Sequence, residues 1–413
     1  MLYDRLLQRF LRYVRIDTTA RDGLDVYPSC DGQWTLGRLL ADELRALGLD
    51  DVDQDSHGLV WATLPANGSR TSPVLALNAH LDTSPETTGA GVQPQVVANY
   101  QGGDLVLPGD PTRIIRVAEN PELGRLIGTT LVTSDGTTLL GGDDKAGIAV
   151  IMESVATLVE RPDILHGPLR ILFTCDEEIG RGVEHVDFRK LGADVCYTLD
   201  GGGAAEIDVE TFSADLAVVS VHGANIHPSM AKDRMVNAVR GAAEFIARLP
   251  RWTRSPERTE GTAGFLHPYT VSGGVAEVSI RILLRSFETP ELAAFADWLR
   301  SLAQQVEADF PGIRVAVDIR PQYRNMRDGL SREPRAVRYA QLAHERLGRT
   351  PRLSRVRGGT DGSQFTARGL PTPNLSTGQH NPHSPLEWVC LEEMRQAQEV
   401  LLQLAQIWYE QPD

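Results

Sequence analysis

The chain has 413 residues, 41% of them apolar and 23% charged, and a net charge of −14. That length exceeds what one hydrophobic core usually serves, so two domains are expected; the acidic balance argues against nucleic acid or an anionic membrane as partner. No apolar run approaches the roughly 20 residues of a membrane span, Met1 to Arg5 lacks the plan of a signal peptide, and four cysteines without CxxC spacing read as reduced thiols of a cytoplasmic protein.

Tyr3 to Val14 carries Leu6, Leu7, Phe10, Leu11 and Val14 on one stripe and predicts a helix. Gln33 to Leu47 predicts a second, stopped by Gly48. Leu59 to Leu64 and Val74 to Asn78 read as strands, the latter running into Ala79-His80-Leu81-Asp82-Thr83-Ser84-Pro85. Residues 86–130 read as a long elaborated loop with short strands near Val96 and Leu105, and loops of that length are more often functional than idle. Leu139-Leu140-Gly141-Gly142-Asp143-Asp144-Lys145 then enters an apolar helix, Ala146 to about Val159. Leu169 to Cys175 is the cleanest strand and ends in Asp176-Glu177-Glu178-Ile179-Gly180. Val195 to Leu199 is another, ending in Asp200 and three glycines.

After about residue 210 the pattern changes. Strand Leu216–Val221, helix Met235–Arg248, strand Val275–Leu284, helix Thr289–Phe310 and strand Ile313–Ile319 suit a small α+β domain. The pattern of the N-terminal half resumes with helix Pro334–Leu347, a glycine-rich loop Arg355–Gly362, an extended stretch Pro371–Leu375, a loop Gln379–Ser384 and a closing helix Glu392–Tyr409. The expectation is an α/β catalytic domain built from 1–210 and 323–413, with a smaller domain, 211–322, inserted.

His80, Asp143, Glu178 and Asp200 each lie just past an apolar run or at a strand-to-helix turn. In an open α/β sheet, ligands bind in the crevice outside the strand C-terminal ends, where such residues become neighbours. Adjacent carboxylates repel unless a cation offsets them. Taken singly, each stretch has an ordinary explanation as a polar turn, a helix start or a solvated acidic loop; the set points to metal. Histidines and carboxylates without cysteine suit zinc, manganese or cobalt. Two ions need a bridging carboxylate, and Asp143, at the rigid entry to a helix, is the natural one. His80 and Asp200 could complete one site, and Glu178 and a late histidine the other. Glu177 would then be free to act as general base. Asp82, two residues from His80 on extended backbone, can orient the imidazole. Asp144 is expected at the helix start rather than among the ligands.

Together these stretches, with Gly32-Gln33-Trp34, Leu64-Pro65-Ala66-Asn67, Thr198 to Gly202, His227-Pro228, Met235 to Ala238, Arg357 to Gly362 and Pro373-Asn374-Leu375, resemble the peptidase T family of dimeric di-zinc tripeptide aminopeptidases over essentially the whole chain. More loosely they resemble the carboxypeptidase G, aminoacylase and succinyl-diaminopimelate desuccinylase families. The resemblance implies an α/β fold, an open mixed-sheet zinc-peptidase catalytic domain with an inserted α+β dimerisation and lid domain. It implies two zinc ions, with His80 and Asp200 on one, Glu178 and a C-terminal histidine on the other, and Asp143 bridging. Glu177 becomes the general base and Asp82 the partner of His80. Counting back from Glu387 and Leu391-Glu392, His383 matches the family histidine and His380 does not. His227 is similar to the residue that reaches substrate or oxyanion, from the same or the other subunit of a homodimer. Arg285 is similar to the anchor for the peptide carboxylate, with Arg357 and Asn325 as further candidates. Departures fall at Ser286, in His267 to Gly274 and around His380. The implied substrate is a short peptide; the alternatives are an amidohydrolase acting on dipeptides or N-acyl amino acids, a non-catalytic metal or peptide binder, and a metal-dependent phosphoesterase.

Overall fold

The computed structural model describes residues 4–411; Tyr3, the expected first residue of the N-terminal helix, lies outside them. The chain divides into two units. One comprises the chain up to Val209, Met326–Arg355 and the residues from Thr360 onward; the other comprises Glu210–Asn325 and Val356–Gly359.

The first unit is built on a mixed sheet. In spatial order its main strands are Asp50–Gln54, Val60–Leu64, Leu169–Thr174, Leu75–His80, Val195–Gly202, Asn374–His380, Trp388–Cys390, Leu131–Thr133 and Gln95–Val97. The four in the middle run parallel. His80 pairs with Thr174, and Asn78 with Thr198. That register brings His80, the turn after Thr174 and Asp200 to the same edge. Helix Gly142–Glu160 packs on strands Leu75–His80 and Val195–Gly202 and against helices Arg5–Tyr13 and Leu391–Glu410. It is buried almost all round, which is why Ile148 to Val155 is so uniformly apolar. Gly147 allows the close approach: a Cβ there would stand 1.9 Å from the Leu199 carbonyl oxygen. Asp143 and Asp144 are not helical (φ −82°, ψ 101° and φ −121°, ψ 32°), so the regular turns begin at Lys145.

Three elements of this unit differ from expectation. Glu206–Thr211 is a strand, paired with Arg352–Val356 and with Asn374–His380. Asp361–Ala367 is a helix that takes in Asp361 and Gly362, the last two residues of the expected glycine-rich loop, and at its start the Ser363 hydroxyl accepts from the Thr360 N–H at 3.4 Å. The strand beginning at Asn374 continues to His380. Short polar elements like these carry little periodicity and are stabilised by neighbours distant in sequence.

The second unit is a four-stranded antiparallel sheet in the order Phe265–Gly273, Glu277–Ser286, Ser213–His222, Arg314–Tyr323. Val278, Ile280, Ile282 and Leu284 alternate into a core shared with Val219 and Val221, with Phe245 of helix Ala238–Ala247 and with Leu299 of helix Thr289–Asp309. The helix expected from Met235 starts three residues later, where the Asn237 side chain accepts from the Val239 N–H. Phe265–Gly273 is an unexpected strand, since Pro268 interrupts it. It lies at the sheet edge with its register shifted between Pro268 and Thr270, where a missing N–H is tolerated.

Candidate metal centre and active site

Asp143 is the hinge of the site. Its Oδ1 lies 3.0 Å from His80 Nε2, and Asp200 Oδ1 is 3.8 Å from that same nitrogen. Its Oδ2 lies 3.3 Å from His383 Nε2, which is 3.0 Å from Glu178 Oε2. One carboxylate thus faces two clusters: His80 with Asp200, and His383 with Glu178. The potential ligand atoms of His80, Asp143 and Glu178 lie within 4.8 Å of one another, as do those of His80, Asp144 and Asp200. Asp144, however, is buried, and both its oxygens already accept backbone N–H groups, from Gly147 at 3.2 Å and His80 at 3.2 Å.

The three acids after strand Leu169–Thr174 take different tasks. Asp176 turns inward at φ 59°, where its carboxylate accepts from the Ser29 N–H, the Ser29 hydroxyl and the Gln33 amide at 2.6–2.7 Å. Glu178 faces the cluster, Glu177 stands within electrostatic reach of His80 and Asp200, and the N–H of each donates to one oxygen of buried Asp82 at 3.0 Å. Asp82 is therefore first a clamp on this turn. His80 Nδ1 donates to the Asp82 backbone carbonyl at 3.1 Å, with the carboxylate at 3.4 Å. Either contact commits Nδ1 as a donor, so Nε2, 3.0 Å from Asp143 Oδ1, is the nitrogen that would offer its lone pair to a cation in place of a proton. Asp200 is held by Asn374, whose side-chain oxygen accepts its N–H, and by Gln379, whose amide donates to its carbonyl, both at 3.0 Å.

His380 takes no part in the cluster. Its Nε2 pairs with Glu393 at 2.7 Å, and its ring stacks on Trp388 at 3.8 Å. His383 sits in the following turn at φ 62°, a left-handed conformation that side chains rarely adopt and that is concentrated at functional sites.

The electrostatics state the chemical need. Burial and the Asp143 charge push Glu178 up to about 8 and Asp200 up to about 6. Burial holds Glu177 well above the usual carboxylate range. Burial alone would lower His383, but Asp143 and Glu178 outweigh it and push it up to about 12. Burial alone would likewise raise Asp143, but His383 and His80 hold it below its ordinary value. Such a site carries more negative charge than its two imidazoles offset, and it favours further positive charge, whether protons or cations. Glu178 Oε1 is buried without a hydrogen-bond partner among the described residues. An orphaned oxygen in a donor set of carboxylates and imidazoles fits divalent metal.

Two acids that sequence reasoning left without a role also belong here. Asp361 accepts from the Thr174 hydroxyl at 2.6 Å, and burial pushes it up to about 7. Glu387 accepts from the backbone on both sides of Gly142. Each lies inside or beside a motif, but nothing in sequence says where its side chain turns.

The remaining candidates lie in the second unit. Arg285 stacks over Tyr323 at 4.8 Å, and its Nη1 is buried with no hydrogen-bond partner among the described residues. Burial lowers it to about 10. His227 is exposed; its Nδ1 accepts from the Ser229 N–H at 3.3 Å, so Nε2 carries the ring proton outward. Arg357 and Asn325 are committed to their own unit. Arg357 donates to the carbonyls of Gly261, Ala263 and Thr259. Asn325 donates to the Phe287 carbonyl and accepts from the Thr211 N–H.

A profile for peptidase family M20/M25/M40 matches residues 139–407. The chain is 41% identical to peptidase T of Geobacillus sp. (strain WCH70) over 405 residues, covering 98% of each. It is 41% identical to peptidase T of Listeria monocytogenes serotype 4a (strain HCC23) over 407 residues, covering 98% and 99%. Among solved structures it is similar to aminopeptidase PepT from Bacillus cereus ATCC 10987 (TM-score 0.72, 24% identity, 98% of each chain). It is also similar to a tripeptidase from Staphylococcus aureus (TM-score 0.78, 23% identity, 98% of each chain), and at these identities both likenesses speak to the fold.

Proposed function

This chain belongs to peptidase family M20/M25/M40, and from that premise we propose that it is a tripeptide aminopeptidase using two divalent metal ions. The observation that carries the reading is the divided Asp143 carboxylate, one oxygen toward His80 and Asp200, the other toward His383 and Glu178. In this reading those five residues hold the ions, zinc by preference. Bound there, the ions would acidify water and polarise a peptide carbonyl.

The side chains supply the rest. Glu177, raised by burial, takes a proton from the attacking water and returns it to the departing amine. Asp82 fixes both the Glu177–Glu178 backbone and the His80 tautomer. His227 presents Nε2–H as a donor suited to an oxyanion. Arg285, a cation with a buried nitrogen that has no hydrogen-bond partner among the described residues, suits the far carboxylate of a short peptide. Arg357 and Asn325 frame that part of the second unit through its backbone. The unpaired cysteines support a reducing compartment, the cytoplasm, and among the described residues no helix is long and apolar enough to cross a membrane. By its resemblance to the dimeric family the protein works as a homodimer through the inserted unit, which sedimentation of the purified chain would test.

Activity of the zinc-loaded protein on di-, tri- and tetrapeptides and on N-acetyl amino acids tests the assignment. Tripeptides should be the preferred class, and preference for N-acetyl amino acids would favour an amidohydrolase. Arg285→Ala is expected to raise KM for free tripeptides by roughly tenfold to a hundredfold, the worth of a charged hydrogen bond. C-terminally amidated tripeptides should be affected far less; equal effects on both would remove Arg285 from the role.

A further inference from the structure

We propose that Glu387 is a positioning residue that sets the orientation of Asp143 and couples it to the turn carrying His383. The inference rests on the reading of Asp143 as the metal bridge. Glu387 is buried, and its carboxylate gathers three backbone donors from the turn before helix Gly142–Glu160. Its Oε2 accepts from Leu140 at 2.8 Å and Gly141 at 2.7 Å, and its Oε1 accepts from Asp143 at 2.9 Å.

That turn cannot satisfy itself. Gly141 is left-handed at φ 84° and Asp143 lies outside the helical region, and the N–H groups of Leu140, Gly141 and Asp143, which precede or open the helix, have no intrahelical carbonyl to meet. Buried N–H groups need a partner, and an ionised carboxylate can accept several at once. The other end of Glu387 is equally tied. Its own N–H donates to Ser384, the residue after His383, at 3.1 Å. The next residues, Trp388–Cys390, pair with strands Asn374–His380 and Leu131–Thr133. One side chain therefore spans the distance between the backbone of Asp143 and the backbone of the His383 turn.

The consequence is directional. Asp143 serves two clusters only while its two oxygens point apart toward His80 and His383. Rotation of its backbone would keep one contact and lose the other. Glu387 resists that rotation, and it does so without touching substrate or any proposed ligand atom.

Glu387→Gln isolates this role. The amide keeps the shape but replaces one oxygen with a donor. With its oxygen toward Leu140 and Gly141, its NH2 meets the Asp143 N–H; flipped, it meets the other two. Zinc binding by competition with a chelator should show one of two equivalents weakened by about tenfold or more, the size of effect that outer partners have on metal sites. Turnover should fall with KM little changed, and excess zinc should restore part of it. Asp55→Asn is the control: Asp55 also accepts three N–H groups, from His57, Leu59 and Trp61, away from this turn. It should lower the melting temperature while both zinc equivalents keep wild-type affinity. If Glu387→Gln binds both equivalents at wild-type affinity, whatever its melting temperature, Glu387 is only a packing residue and the proposal is overturned. Should that variant fail to fold, Glu387→Asp, which retracts the carboxylate by one methylene, carries the same two readouts. A wild-type protein binding fewer than two equivalents would overturn the bridging role of Asp143 instead, before any variant is made.

Discussion

Glu177→Ala is expected to retain both metal ions and to lose at least about a hundredfold in turnover on tripeptides, the lower end of what a general base contributes. A hundredfold corresponds to about 2.7 kcal/mol of transition-state stabilisation. The substitution is clean for a structural reason. What holds the turn is the Glu177 backbone N–H, which donates to Asp82, and the Asp176 carboxylate on Ser29 and Gln33. Neither needs the Glu177 side chain. Burial holds the half-buried carboxylate well above the usual range, which favours its taking up a proton from water. Metal content by elemental analysis and kcat measured on the same preparation decide the matter. Near-normal turnover would end the general-base role; loss of an ion would make Glu177 a ligand.

His383→Ala is expected to lose one of the two ions and most of the activity, by at least about a hundredfold, the upper end of what outer partners alone are worth. His380→Ala should keep both. The two histidines stand three apart, but their surroundings differ. His383 Nε2 is within 3.3 Å of both Glu178 and Asp143. His380 is occupied by Glu393 and by the face of Trp388, so its loss removes a part-buried hydrogen bond and a stacking contact and lowers stability without emptying the site. Metal counts for the two variants separate the cases. Loss of an ion from His380→Ala and not from His383→Ala would reverse the assignment.

Much of the fold can be read along the chain. The long amphipathic helices and the apolar strands that carry the site-bearing turns are local patterns, legible because burial on one face imposes a period. Edge strand Phe265–Gly273, helix Asp361–Ala367 and strand Glu206–Thr211 are not legible. Their sequences are polar or interrupted by proline; the two strands exist because a neighbouring strand supplies their hydrogen bonds, and the helix is too short to show a period. The stretch Gly32-Gln33-Trp34 acquires a task only in the fold, which sets Gln33 against Asp176.

The chemistry divides the same way. Sequence alone determined the inventory: which turns hold acids and histidines, that each follows a strand or opens a helix, and that no cysteine joins them. Those are properties of local order, and side-chain type and spacing suffice for them. Only the tertiary structure decided direction. It turned Asp176 inward and left Glu178 facing the cluster. It separated His383 from His380, gave the two oxygens of Asp143 to two different groups of neighbours, and fastened that residue through Glu387. Where a side chain points depends on which backbone donors and acceptors surround it, and those donors come from segments up to about 250 residues away in the chain.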